Sequence, residues 1–306
     1  MGRLMARPLP IRPCPSHEWG TVSRARLWAA AVGGVSSGMA YAVSRLLPQS
    51  IREPWQRVNH AGRPVTLLEG PAEVIGLAMG ASVAGVAPVV AALGAGALGA
   101  LDDLVGDPSS KGLRGHLRAA REGRITTGLV KVAGLGVVGL MSAAMTDRES
   151  RARDGATEPL PSSWVRAGDA LIGGAVIAGA ANLVNLFDLR PGRALKVGLV
   201  VGVPMAIMGG PRAPRGPAAA AAAAGASLGL LAPDLRGESM LGDTGANALG
   251  AVLGVALIQG RSRSTRLALL TGLVGLTLLS EKVSFTKVIE STPGLREFDA
   301  WGRPAR

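Results

Sequence analysis

The chain has 306 residues, 48% of them hydrophobic and 3% aromatic, and a formal net charge of +12. Long apolar stretches recur along almost its whole length, which excludes an ordinary soluble domain. The single cysteine, Cys14, excludes an intramolecular disulfide and offers no metal cluster. The basic residues lie in short loops without an aromatic-lined face, which argues against nucleic acid and for anionic lipid headgroups or substrate phosphates as partners.

In chain order, residues 1–23 are rich in proline and charge and read as a disordered tail. Arg24 and Arg26 precede the apolar run Leu27–Leu47. Ala40-Tyr41-Ala42 within it resembles a signal-peptide cleavage site, but the run continues past that point, so an uncleaved first span is expected. The stretch Ala72–Leu101 is long for one helix and short for two, and predicts two short helices meeting near Pro88. Ile125–Met145, Ala170–Phe187, Ala218–Ala232, Ala246–Ile258 and Leu267–Leu279 follow, several near the twenty residues that a hydrocarbon core about 30 Å thick requires. The alanine run Ala218–Ala224 reads as helix filler. The 44 glycines suit helices that approach closely in lipid.

The fold expected is therefore all-α, a polytopic transmembrane helical bundle of about nine spans. The tail 1–23 precedes a transmembrane catalytic domain at 24–281, and an interfacial tail at 282–306 follows. Alternation of the spans puts loops 48–70, 102–124, 188–194 and 234–244 on one side. Lysine and arginine are slightly more numerous there, which leans toward a cytoplasmic face of the plasma membrane. Lys111, Arg114, Arg118, Arg121 and Arg124 recur every three or four residues and make a basic face suited to headgroups.

Three polar segments stand at the ends of apolar runs. Asp102 and Asp103 are adjacent carboxylates, which favour a divalent cation or a shared proton; alone they would read as a solvated helix end. Asn182, Asn185 and Asp188 fall at i, i+3 and i+6, within roughly 120° of one helix face. Amides there either line a polar site or hydrogen-bond between helices. In Gly242-Asp243-Thr244-Gly245, Asp243 or Thr244 could cap the next helix, and the free N–H groups of a helix start also suit a phosphate.

Together these segments resemble the polyprenyl-phosphate N-acetylhexosamine-1-phosphate transferases, the phospho-N-acetylmuramoyl-pentapeptide transferase-like enzymes of glycosyltransferase family 4. The resemblance runs in order over residues 59–250. It comprises Asn59-His60-x-Gly62-Arg63-Pro64, Leu101-Asp102-Asp103, Lys111-Gly112-Leu113, Asn182-x-x-Asn185-x-x-Asp188, and Leu241-Gly242-Asp243-Thr244-Gly245 with Leu249-Gly250. Departures are also clear. The family's Asp-Gly-x-Asp-Gly is here Asp188-Leu189-Arg190-Pro191-Gly192, and the family's charged position after the aspartate pair is Val105, with Asp107 displaced. The His-rich loop is absent, the chain having only His17, His60 and His116. The final span of ten-helix members is replaced by an amphipathic segment that could cover the sugar-nucleotide site or anchor the C-terminus.

The resemblance implies transfer of a sugar-1-phosphate from a UDP-sugar to a polyprenyl phosphate lipid, releasing UMP, in cell-wall or glycopolymer synthesis. It implies Mg²⁺, or Mn²⁺ in its place, on Asp243, with Asp102, Asp103 and Asp188 catalytic. Lys111, Asn182, Asn185 and Thr244 would contact substrate, and the charge of Arg190 and Arg193 suggests a replacement contact to the diphosphate. A family-like membrane protein with a changed donor, or without transferase activity, is the alternative; a transporter is a weaker one, because polar residues cluster at span ends. A homodimer is compatible with all of these.

Overall fold

A computed structural model describes residues 23–59, 62–106, 126–153, 160–209 and 215–304. The long helices are α1 (Arg24–Ser44), α3 (Glu69–Ala81), α4 (Val86–Val105), α5 (Thr127–Arg153), α6 (Ser163–Phe187), α7 (Arg193–Met208), α8 (Arg215–Leu235), α9 (Gly242–Ile258) and α10 (Arg263–Ser280). The short helices are α2 (Gln49–Arg52), α11 (Phe285–Ser291) and α12 (Leu295–Ala300). One hairpin pairs β1 (Gln56–Val58) antiparallel with β2 (Pro64–Thr66), Arg57 facing Val65.

The architecture is all-α, as expected. Among the described residues four helices, α4, α5, α6 and α8, are long and apolar enough to cross a membrane; α10 with α11 makes a fifth if that pair, bent by 88°, is one span. α9 is a shorter apolar helix of 17 residues.

Two helices sit at the centre. α8 packs against α1, α3, α7 and α9, and α9 packs against α3, α4, α6 and α8. The alanine run expected as filler is instead the core of the bundle: Ala219, Ala220, Ala222 and Ala223 are fully buried. Small side chains let four neighbours approach α8 backbone to backbone, the mode of packing that lipid permits. Ser37 of α1 donates to the Ala226 carbonyl at 3.0 Å across one such contact. Large apolar side chains point outward instead, as with Trp28, Val35 and Met39 of α1.

The break within Ala72–Leu101 falls earlier than Pro88. α3 ends at Ala81, and Gly85 takes φ +133°, a conformation that glycine adopts without steric cost. Pro88 lies in the first turn of α4, where its missing N–H is no loss. Glu149 of α5 accepts from the N–H groups of Val86 and Ala87 at 3.0 and 3.2 Å and so closes that helix start. Serines perform the same task locally: Ser162 caps α6, Ser262 α10 and Ser284 α11.

These close approaches are testable. A Cβ at Gly225 would collide with the Ala30 carbonyl of α1, whereas one at Gly272 of α10 meets nothing within 4 Å. Gly225→Val should cost about 1–3 kcal/mol through overpacking, and Gly272→Ala should be neutral or slightly stabilising. Thermal denaturation of the two purified variants in detergent reads the difference.

Candidate functional site

The acidic segments meet at the first turn of α9. Four N–H groups at a helix start lack intrahelical partners, and here the acceptors come from other helices. Asp103, at the end of α4, accepts from the Asp243 N–H at 3.1 Å, the Thr244 N–H at 2.8 Å and the Thr244 hydroxyl at 2.6 Å. Asp188, just past α6, accepts from the Gly242 N–H at 2.8 Å. Negative charge at this end also complements the helix dipole. The cap expected from Asp243 or Thr244 themselves is therefore supplied in trans, and the N–H groups expected to be free for phosphate are occupied by Asp103 and Asp188.

Glycine makes the approach possible. A Cβ at Gly99 would collide with the Asp243 carbonyl, and Gly242 has φ +61° with the Asp103 carboxylate against it. Thr244 is buried and engaged with Asp103, so its hydroxyl serves the scaffold.

Asp243 and Asp102 have a different partner. Lys131 of α5 donates to the Asp243 carboxylate and reaches Asp102 at 3.5 Å, with all three side chains largely buried. Arg57 of β1 adds a second cation at the rim by donating to the Asp103 backbone carbonyl. The hairpin carrying it is fixed to the α8–α9 loop: the Met240 N–H donates to the Thr66 carbonyl at 3.1 Å. Sequence reasoning missed both residues. Lys131 had a signal, since a lone lysine inside the run Ile125–Met145 is costly in hydrocarbon unless it meets a counter-charge. Arg57 had none, because only the hairpin brings it to Asp103.

A further acidic layer, also missed, lies behind Asp188. Glu69 and Glu73 of α3 and Asp234 of α8 are buried. Glu73 accepts from the Ser227 hydroxyl at 3.3 Å, while both carboxylate oxygens of Glu69 and of Asp234 lack a hydrogen-bond partner among the described residues. Burial, joined by the neighbouring Asp234 carboxylate, lifts the Asp188 carboxyl well above the usual aspartate range, against the opposing pull of the Gly242 N–H.

The remaining sequence-predicted residues are placed elsewhere. Asn182 donates to the Thr277 hydroxyl of α10 at 3.5 Å, the interhelical role of a membrane amide. Asn185 is half-buried, and its carbonyl accepts from the Asp188 N–H at 3.1 Å. Arg190 pairs with Glu290 of α11 at 3.1 Å. Arg193 is buried, grips Asp299 of α12 through two bonds of 2.8 and 3.0 Å, and donates to Thr286 at 3.0 Å. Both arginines thus hold the C-terminal segment rather than facing the carboxylates. Lys111 and Asp107, with the basic group 111–124 and His60, lie outside the described residues.

The C-terminal segment itself is two short helices folded over the 188–193 loop. Phe285 stacks on Phe187 with ring centroids 5.4 Å apart. The Lys196 ammonium donates to the carbonyls of Phe298, Asp299 and Trp301 at 3.0, 2.7 and 2.7 Å, satisfying the end of α12. Arg303 donates to the Pro191 carbonyl at 2.9 Å. These contacts fasten the segment to the 188–193 loop and the first turn of α7.

No protein-family model matches the chain, and no curated protein matches it either.

Two outcomes follow for this region. Asp103→Ala leaves three donors of α9 without an acceptor and should destabilise by about 1–2 kcal/mol, read by thermal denaturation in detergent. Burial opposes the ionised form of Asp299, but Arg193, with Arg303 behind it, outweighs this and holds the carboxyl below its usual range. The pair's contribution is therefore present above the unfolded value of about 3.9 and lost as pH falls through the lower folded value. Asp299→Asn should release the segment at neutral pH, raising its rate of proteolytic clipping about tenfold or more, and wild type should approach the variant only at strongly acid pH.

Proposed function

We propose that the chain transfers a sugar-1-phosphate from a UDP-sugar to polyprenyl phosphate, releasing UMP, as a member of the polyprenyl-phosphate hexosamine-1-phosphate transferases. The supporting observation is the convergence at the start of α9: Asp103 and Asp188 reach it from positions 140 and 54 residues away in sequence. Three separate acidic segments have no reason to share one helix end in a bundle that only needs apolar contacts, because each carboxylate is costly there. All nine long helices, α1 and α3 through α10, would be embedded. The carboxylates would then face the cytoplasm at the plasma membrane.

Among the described residues no three acidic, His or Cys side chains form a group that could hold a metal. Two carboxylates, Asp102 and Asp243, do converge on one cation, the Lys131 ammonium. Mg²⁺ is commonly held by one or two carboxylates together with waters and substrate phosphates, so this pair fits an ion that arrives with a diphosphate. Bound there, it would supply neutralisation of the charge that builds on the transferring phosphoryl oxygens.

In this reading an oxygen of polyprenyl phosphate attacks the β-phosphorus of the UDP-sugar, and the bond from that phosphorus to the UMP oxygen breaks. Asp243 and Asp102 would hold the cation, and Asp102 would also orient the lipid phosphate. Asp103, with its oxygens engaged on α9, positions Asp243 rather than touching substrate. Lys131, displaced from between the carboxylates, and Arg57 at the rim offer positive charge to the phosphates. Lys111 would join them from the loop after α4. A changed sugar donor is the second reading, favoured by Arg190 and Arg193 being committed to the C-terminal segment.

Purified protein with undecaprenyl phosphate, Mg²⁺ and a panel of UDP-sugars should release UMP with at least one donor. Asp243→Asn should lower that rate by about a hundredfold or more. Full activity in this variant would remove Asp243 as the cation ligand. Silence of wild type with every donor, alongside intact polyprenyl phosphate binding, would remove the transferase reading.

A further inference from the structure

A second polar feature stands at the far end of the bundle, and the transfer chemistry does not use it. α5 passes Lys131 beside the carboxylates and reaches Arg151 twenty residues later, about 30 Å along a helix axis, roughly the thickness of a hydrocarbon core. There the end of α5, the start of α6 and the start of α10 enclose a cavity of about 720 Å³.

Two ion pairs fix its walls. Arg266 holds Asp147 through bonds of 2.6 and 3.1 Å, and Arg263 donates to Asp169 at 2.7 Å. Arg148, Arg151, Arg166 and Arg261 line the same space, and their guanidinium groups make no ion pair or hydrogen bond among the described residues. Six guanidiniums against two carboxylates leave a positive excess around one hollow. Arg266 is only 6% exposed, and its Nε has no hydrogen-bond partner among the described residues. A buried donor without an acceptor is destabilising, and like charges around a partly enclosed space repel.

An anion in the cavity would relieve both. Guanidiniums suit phosphate in particular, because their forked N–H groups match its oxygens. Leu160, Val165, Ala144 and Ala170 share the walls, so part of the surface is apolar and suits the chain of a lipid. We propose that this cavity binds a phosphate-bearing group, the headgroup of an anionic membrane lipid being the source that its apolar wall favours. The site lies across the bilayer from the carboxylates and is independent of what they catalyse.

The test uses the full chain in detergent micelles doped with phosphatidylglycerol or with phosphatidylcholine, bound lipid being counted by native mass spectrometry. A parallel arm titrates inorganic phosphate by calorimetry without added lipid. Arg148→Gln with Arg261→Gln removes two unpaired cations and leaves both ion pairs intact; Arg296→Gln, on the C-terminal segment, is the control. The double variant should bind phosphatidylglycerol about thirtyfold more weakly, with phosphatidylcholine weak and unchanged and the control like wild type. Inorganic phosphate bound by wild type and lost in the double variant would support the phosphate site and name a soluble source. Equal retention of the two lipids, or undiminished binding of both probes by the double variant, would overturn the proposal. Thermal denaturation of each variant separates a lost site from a lost fold.

Discussion

The start of α9 is the joint on which the bundle depends. A helix of 17 residues buried at the centre of the molecule brings unsatisfied N–H groups into a place where water cannot reach them freely. An unpaired buried donor costs about 1–3 kcal/mol, so the end of such a helix must be closed by the protein. Asp103 and Asp188 close it, and in doing so tie α4 and α6 to α9. Asp102, adjacent to Asp103, and Asp243, in the capped turn itself, are thereby brought together in a region that then requires a cation, which Lys131 of α5 provides. One capping problem thus organises four helices and concentrates charge at a single helix end.

Small residues make that concentration possible. Gly99 and Gly242 permit backbones to meet at the joint, and the alanines of α8 permit the neighbouring half of the bundle to close around it. Because lipid offers little hydrophobic force between helices, the bundle relies on close contact and on polar ties. Arg26 of α1 donates to the Ala206 and Gly209 carbonyls at the end of α7, and Glu149 of α5 closes the start of α4. These ties lie at helix ends, where backbone groups remain open. The carboxylates of Glu69 and Asp234 and the side-chain amide of Asn247 are exceptions, buried without hydrogen-bond partners among the described residues.

The loop after Asp188 shows how charge can be redirected. Arg190 and Arg193 stand beside the site in sequence, yet α11 and α12 offer Glu290 and Asp299 as partners. A buried guanidinium without a carboxylate would be strongly destabilising, so Arg193 and Asp299 are bound to each other's presence. The C-terminal segment consequently forms a fixed cover over the 188–193 loop. It is held by side chains that would otherwise be available to an anion.

The sequence by itself determined the helical architecture, because runs of apolar residues near the length of a bilayer admit few alternatives. It also marked Asp102, Asp103, Asp188 and Asp243 as one group, since carboxylates at the ends of such runs are costly. It left their division of labour open. Only the tertiary structure assigned Asp103 and Asp188 to capping and Asp102 and Asp243 to a shared cation, because those roles depend on which atoms meet across helices. The same holds for Lys131, Arg57 and the fate of Arg193, whose partners lie 112, 46 and 106 residues away along the chain. Local pattern records what a residue costs in its own helix. The partner that offsets that cost comes from packing, and packing decided the site.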